Sequence, residues 1–131
     1  MKEDLKDQLK EKLDPVSYEV IVNKATERPH TGEYNLNFLD GQYTCKACGE
    51  VLFDSTSKFD AGCGWPSFDK EIATGKVKEV FDDSLGMRRI EVVCANCEGH
   101  LGHVFEDGPT ETGLRYCVNS VSLGFEPKEN C

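Results

Sequence analysis

Leu5, Leu9 and Leu13 recur at every fourth position among alternating charges, the spacing of one apolar stripe on an α-helix. Asp14-Pro15 follows at once. A carboxylate is placed there to cap free N–H groups, and a proline takes the first helical position, where its missing N–H costs nothing. A second helix is therefore predicted from Pro15 to about Asn23. From "TERPHTGEYN" onward the period changes. The runs "EVLFD", "KVKEVF", "MRRIEVV", "HVFED" and "LRYCVNSV" are short and rich in β-branched and aromatic residues, and Gly, Pro, Asn and Asp stand between them. The pattern predicts a mainly β, mostly antiparallel fold with two N-terminal helices packed on it.

Composition narrows what such a fold does. At 131 residues the chain reads as one domain, 1–131, with about residues 1–13 as a helical extension. A net charge of −9 without any basic cluster argues against nucleic acid. No apolar run reaches bilayer length, so no membrane span is expected. The start, "MKEDLKDQLKEKLD", carries acids and lacks the apolar core of a signal peptide. The expected setting is the cytoplasm, where thiols stay reduced and bind metal or do redox chemistry. There are seven cysteines, an odd number, so at least one stands outside any pairing.

Four of them form two CxxC pairs, Cys45 and Cys48 in "CKACG", Cys94 and Cys97 in "CANCEG". Two intervening residues let one tight turn aim both sulfurs at one ion, and Gly49 and Gly99 are placed to ease the turns. Two such knuckles complete the four soft ligands that zinc prefers. A redox dithiol is the alternative, but such motifs come singly at a strand-to-helix turn. One structural zinc per chain is expected, with no open position for substrate.

Cys63, Cys117 and Cys131 remain. Cys131 is read as incidental. Cys63 lies in "AGCGWPSF" between two glycines, which suits a cysteine that swings toward a partner, or an ordinary turn. In "LRYCVNSV", strand alternation puts Leu114, Tyr116 and Val118 on one face and Arg115, Cys117 and Asn119 on the other. A guanidinium beside a thiol favours the thiolate, and the Asn119 amide is placed to hold a polar substrate atom or a neighbouring imidazole. Cys117 is therefore expected to be an activated nucleophile. His100 and His103 in "EGHLGHVF" are left free by the cysteine-filled metal site and suit proton donation. His30 reads as an ordinary loop residue.

"TERPHTGEY", "CKACGEVLFDSTSKFDAGCGWPSF", "CANCEGHLGHVFEDGP" and "LRYCVNSVSLGF" together resemble the B-type methionine sulfoxide reductases, over nearly the whole chain after the first helix. The resemblance implies two antiparallel sheets with N-terminal helices and reduction of methionine-R-sulfoxide, peptide-bound or free. It implies Cys117 as the catalytic cysteine, Cys63 as the resolving one, and Cys45, Cys48, Cys94 and Cys97 as zinc ligands. Trp65, His100, His103, Arg115 and Asn119 match the family's substrate site. Thioredoxin is the implied reductant, and a monomer is expected. His30 departs from the family, where Phe is common, and Cys131 lies outside its pattern. Two other classes stay open: a zinc-stapled binding module, and a sensor or peroxidase using the same Cys117–Cys63 pair.

Overall fold

The leucine stripe and the Asp14-Pro15 pair both form helix. The computed structural model describes residues 3–83, 86 and 88–128, beginning with α1 (Glu3–Lys12) and α2 (Pro15–Ile21). Cys131, and Met87 of the predicted "MRRIEVV" strand, lie outside those residues. Leu9 and Leu13 are buried, so the stripe seats the first helix on the core. Asp14 Oδ2 accepts the Ser17 N–H at 3.1 Å, a side-chain cap on the second. That helix stops at Ile21, short of Asn23. The chain turns left-handed at Lys24, with φ of 61°, and Ala25 N–H closes on Glu19 O at 3.0 Å.

The strands among the described residues are β1 (Gly41–Cys45), β2 (Val51–Asp54), β3 (Lys58–Phe59), β4 (Ser67–Phe68), β5 (Val77–Asp82), β6 (Arg89–Cys94), β7 (His100–Phe105), β8 (Arg115–Val118) and β9 (Leu123–Pro127). They make two antiparallel sheets, ordered β2-β1-β9 and β3-β4-β8-β7-β6-β5, so the expected fold class is borne out. The sheets meet through aromatic side chains. Phe53 of the small sheet stacks on Phe68 of the large one, with centroids 4.3 Å apart, and Tyr43 meets Phe68 edge-on at 5.1 Å. Truncating a ring such as Phe53 to Ala would cost about 3–5 kcal/mol by the usual core penalty.

Register on the large sheet positions the site. Phe59 pairs with Ser67, Ser67 with Cys117, Cys117 with His103, His103 with Glu91, and Glu91 with Val80. Paired residues share a face, so this is one row across all six strands. The expected alternation on β8 holds: Tyr116 and Val118 are buried in the core, while Arg115 and Cys117 are partly exposed on the other face. His100 and His103, three apart, would fall on opposite faces of a regular strand. A bulge prevents this, because Val92 pairs with Gly102 and Val93 with His100, leaving Leu101 extra. The two rings come to 5.7 Å between centroids.

Candidate functional site

Each CxxC pair caps a hairpin, the first between β1 and β2 and the second between β6 and β7. Gly49 N–H bonds Cys45 O at 2.7 Å, and Glu98 N–H bonds Cys94 O at 2.8 Å, so the two turns are alike. Gly49 supplies the left-handed residue of the first, with φ of 82°. In the second Glu98 does so at 65°, and not Gly99 as expected. The four sulfurs lie within 4.8 Å of one another, with Cys45–Cys97 and Cys48–Cys94 each at 3.6 Å. Four thiolates about 2.3 Å from one zinc would stand about 3.8 Å apart, so the spacing fits a tetrahedral ion. The cluster could hold a metal, and its sulfurs are mostly buried in the core.

Apart from this cluster, a hollow of about 210 Å³ opens on the large sheet, lined by Cys63, Trp65, His103, Arg115, Cys117 and Asn119 among others. Six of the sequence-predicted residues therefore meet in one place. Cys63 Sγ is 3.7 Å from Cys117 Sγ and 3.4 Å from Ser67 Oγ. The loop holding Cys63 is built by its glycines' conformation: Gly62 and Gly64 have φ of 69° and 92°. At Gly64 a Cβ would also come within 2.6 Å of Pro29 Cβ, so this glycine serves close approach as well as any motion. The His30 main-chain N–H donates to Gly64 O at 2.7 Å, tying the "RPHTGEY" loop to the Cys63 loop.

Glu27 is the anchor that sequence reading missed. Its carbonyl accepts the Trp65 Nε1–H at 3.0 Å, its N–H donates to Asn119 Oδ1 at 3.0 Å, and its Oε1 accepts Val121 N–H at 3.0 Å. Asn119 Nδ2 donates to Leu101 O at 2.9 Å. The Asn119 amide is thus engaged with main chain, rather than with an imidazole as one expectation had it. Gly102 lets β7 and β8 close up beside it, since a Cβ there would fall 1.9 Å from Cys117 O.

Carboxylates hold both imidazoles. His103 Nε2 lies 2.9 Å from Asp82 Oδ2, and His100 Nδ1 lies 2.6 Å from Glu91 Oε2. His103 lines the hollow. His100 does not, being buried behind it, and its Nε2 has no hydrogen-bond partner among the described residues. Burial comes first in pushing the His100 pKa down, with Glu91 opposing. Arg115 forks onto Asp107 through Nε at 2.9 Å and Nη2 at 3.2 Å, and its guanidinium covers the Phe105 ring at 4.5 Å.

Charge at the sulfurs departs from expectation. Burial, ahead of the facing Cys63, pushes the Cys117 thiol up to about 12, and Arg115 opposes this without overcoming it. For Cys63 burial also pushes upward, but Ser67, a backbone bond at Trp65, Cys117 and the Arg115 charge together bring it below its usual range. The surroundings thus push the two thiols in opposite directions, Cys117 up and Cys63 down. The sequence shows Arg115 on the same strand face; it does not show how deeply the neighbouring strands bury the thiol.

A mainly β protein with a four-thiol cluster and, apart from it, a thiol pair lining a hollow is the class that fold and site define. The model of the SelR domain matches residues 13–127. Three similar curated proteins are each named peptide methionine sulfoxide reductase MsrB. That of Variovorax paradoxus is 58% identical over 115 residues, covering 88% of this chain and 85% of that protein. That of Bradyrhizobium diazoefficiens is 55% identical over 122 residues, covering 93% and 88%. That of Pseudomonas savastanoi pv. phaseolicola is 58% identical over 120 residues, covering 92% of each. The chain belongs to the SelR family of B-type methionine sulfoxide reductases. The family expected from the four sequence motifs is borne out.

Proposed function

We propose that this chain reduces the R epimer of methionine sulfoxide to methionine, in oxidised proteins and peptides or as the free amino acid, and so repairs oxidative damage. The observation that carries the reading is the 3.7 Å between Cys63 Sγ and Cys117 Sγ, in a hollow that also holds the His103 imidazole and the Trp65 indole. The curated names of its relatives support it.

A sulfoxide has an electrophilic sulfur, a strongly accepting oxygen and a small methyl group. Cys117 Sγ attacks the sulfur while the oxygen is protonated, and a thiol that keeps its proton at rest can contribute it to that transfer. His103, fixed by Asp82, is the proton donor at the hollow. His100 backs it from 5.7 Å, itself fixed by Glu91. Trp65 gives the methyl an apolar wall, held through its indole N–H by the Glu27 carbonyl. Asn119 positions Glu27 from the other side. The Arg115 charge favours the developing thiolate.

The protonated oxygen leaves the sulfoxide sulfur, and an oxygen is delivered to Cys117 Sγ by that group or by water. The bond between the two sulfurs breaks, so methionine leaves and Cys117 becomes a sulfenic acid. The Cys63 thiolate attacks that sulfur, hydroxide leaves and is protonated to water, and a Cys63–Cys117 disulfide remains. Thioredoxin returns it to two thiols by exchange. One zinc on Cys45, Cys48, Cys94 and Cys97 would supply folding energy and no chemistry at the substrate. The chain acts as one domain, 1–131, with about residues 1–13 as its helical extension, as a monomer in the cytoplasm.

Purified protein given each methionine sulfoxide epimer with dithiothreitol tests this. The R epimer is reduced and the S epimer is left essentially untouched. Equal rates on both, or consumption of peroxide in preference to either, would overturn the reading.

A further inference from the structure

Asp82 holds His103 at the hollow, and Asp82 is itself tied to a cation. Its Oδ2 takes His103 Nε2 at 2.9 Å and Arg89 Nη2 at 3.5 Å, so one oxygen joins an imidazole to a guanidinium. The strand register builds this. Asp82 pairs with Arg89 across β5 and β6, one row along from Val80 and Glu91, and Glu91 pairs with His103 across β6 and β7. Arg89 stands two residues from Glu91 and so shares its face, diagonal to His103. Arg89 and His103 both line the hollow, and Asp82 does not.

Arg89 is unlike the other cations around the site. Arg115 is forked onto Asp107 by two bonds, at 2.9 and 3.2 Å. Arg89 makes one long contact, and its Nε is buried without a hydrogen-bond partner among the described residues. A guanidinium kept for stability alone would be forked or left in water, because a buried N–H without a partner is costly. Lys24 differs in another way. Glu91 joins it to His100 through separate oxygens, Oε2 at 2.6 Å from His100 Nδ1 and Oε1 at 3.4 Å from Lys24 Nζ. The Lys24 side chain is 65% exposed, against 23% for Arg89 and 20% for Asp82. Water screens the Lys24 contact well and the Arg89 contact much less.

We propose that Arg89 is a positioning residue for proton donation, fixing the His103 ring through Asp82 so that its second nitrogen serves the hollow. This rests on the function proposed above. With Nε2 committed to Asp82, Nδ1 is the nitrogen left to give a proton to the sulfoxide oxygen. That donor has to stay within hydrogen-bond reach of the oxygen while the sulfur is attacked. Pinning the carboxylate to a cation on the neighbouring strand keeps it from following the ring, so the ring holds its angle as substrate enters.

Single-turnover release of methionine from the R epimer, without added reductant, reads the chemical step apart from recycling. Arg89→Met lowers that rate about tenfold, the loss expected for a misplaced proton donor, and leaves the half-saturating substrate concentration within about twofold. Arg89→Lys keeps the charge and recovers most of the rate. Lys24→Met stays within about twofold of wild type, as a screened contact should. A double-mutant cycle decides the route. Because Arg89 acts through Asp82, adding Arg89→Met to Asp82→Asn lowers the rate no further. Arg89→Gln replaces Arg89→Met in the cycle if the latter does not fold. Additive losses, a raised half-saturating concentration at an unchanged rate, or an equal loss in Lys24→Met would overturn the role of Arg89 and leave the function standing. A wild-type protein that releases no methionine would overturn the function, and this role with it.

Discussion

The two sulfur sites hold their atoms at nearly the same spacing. Cys45–Cys97 and Cys48–Cys94 stand at 3.6 Å, and Cys63–Cys117 at 3.7 Å. Distance therefore does not decide what a thiol does; its surroundings do. In the cluster the sulfurs see mainly one another and the turn N–H groups, such as Gly99 N–H at 3.4 Å from Cys97 Sγ. Four thiolates turned toward one another call for a cation among them, and a dication can supply it. The pair sees Ser67, the Arg115 guanidinium and the His103 imidazole around an open hollow. One arrangement is closed on itself. The other is open toward a reactant.

The largest effects should come from the pair. Cys117→Ser removes the sulfur proposed to attack, and a serine hydroxyl is far less ionised near neutrality, so reduction should fall to background with every reductant. Cys63→Ser acts later in the cycle. It should still release about one methionine per enzyme without reductant, the yield of a single sulfenic acid. Its turnover then collapses with thioredoxin, which attacks disulfides, and continues with dithiothreitol, which reaches the sulfenic acid directly. Rapid chemical quench with methionine quantification reads both. Normal cycling of Cys63→Ser with thioredoxin would erase the difference between attack and recycling.

The cluster should respond in the opposite currency, stability. Cys94→Ser takes one ligand from the set, and since ligand assembly and folding are linked, the protein loses zinc and melts far lower or fails to fold. Metal content by elemental analysis and a thermal melt check this. A stable, active and zinc-free Cys94→Ser protein would show that the two sites are not divided as argued.

Much of this division was legible in the sequence. The spacing of Cys45, Cys48, Cys94 and Cys97 gives ligand geometry directly, because a CxxC turn is local. Alternation on "LRYCVNS" gave the shared face of Arg115 and Cys117 for the same reason. What escaped were pairings across strands. Asp82 on His103, Glu91 on His100 and Asp107 on Arg115 are three acids among 24, and nothing local sets them apart. The bulge at Leu101 that turns both histidines to one side is equally silent, since it arises where β7 meets β6. Glu27 eluded sequence reading because its main chain makes two of the three anchoring bonds, and nearly any residue type has that carbonyl and N–H. The upward push of burial on Cys117 was not legible, because alternation reveals the neighbouring cation and not how deeply other strands cover the thiol.

The smallest prediction tests how far the cluster's support extends. Asp14 caps α2 through Ser17 N–H at 3.1 Å and also pairs with Lys46 Nζ at 2.9 Å, and Lys46 lies inside the first knuckle. Lys12 Nζ donates to Ala47 O of the same turn at 3.0 Å, so the helices brace this knuckle, and among the described residues they make no such bond to the thiol pair. The hydrogen bond from Lys46, followed by those from Ser17, holds the Asp14 carboxyl well below the usual carboxylate range. A carboxyl depressed in the folded state adds stability above its unfolded pKa and loses it as pH falls through the folded value. The side chain is half exposed, so the ion pair is screened and the cap supplies most of the effect. Asp14→Ala should therefore cost about 1 kcal/mol at neutral pH, the usual worth of such a cap, and progressively less in acid. Urea melts at pH 7 and at a pH below the ordinary carboxylate range measure the difference, and turnover at neutral pH should match wild type. A penalty that grows in acid would reverse the sign and remove the carboxylate from the account. Lost turnover with an intact fold would mean that the brace reaches the thiol pair after all.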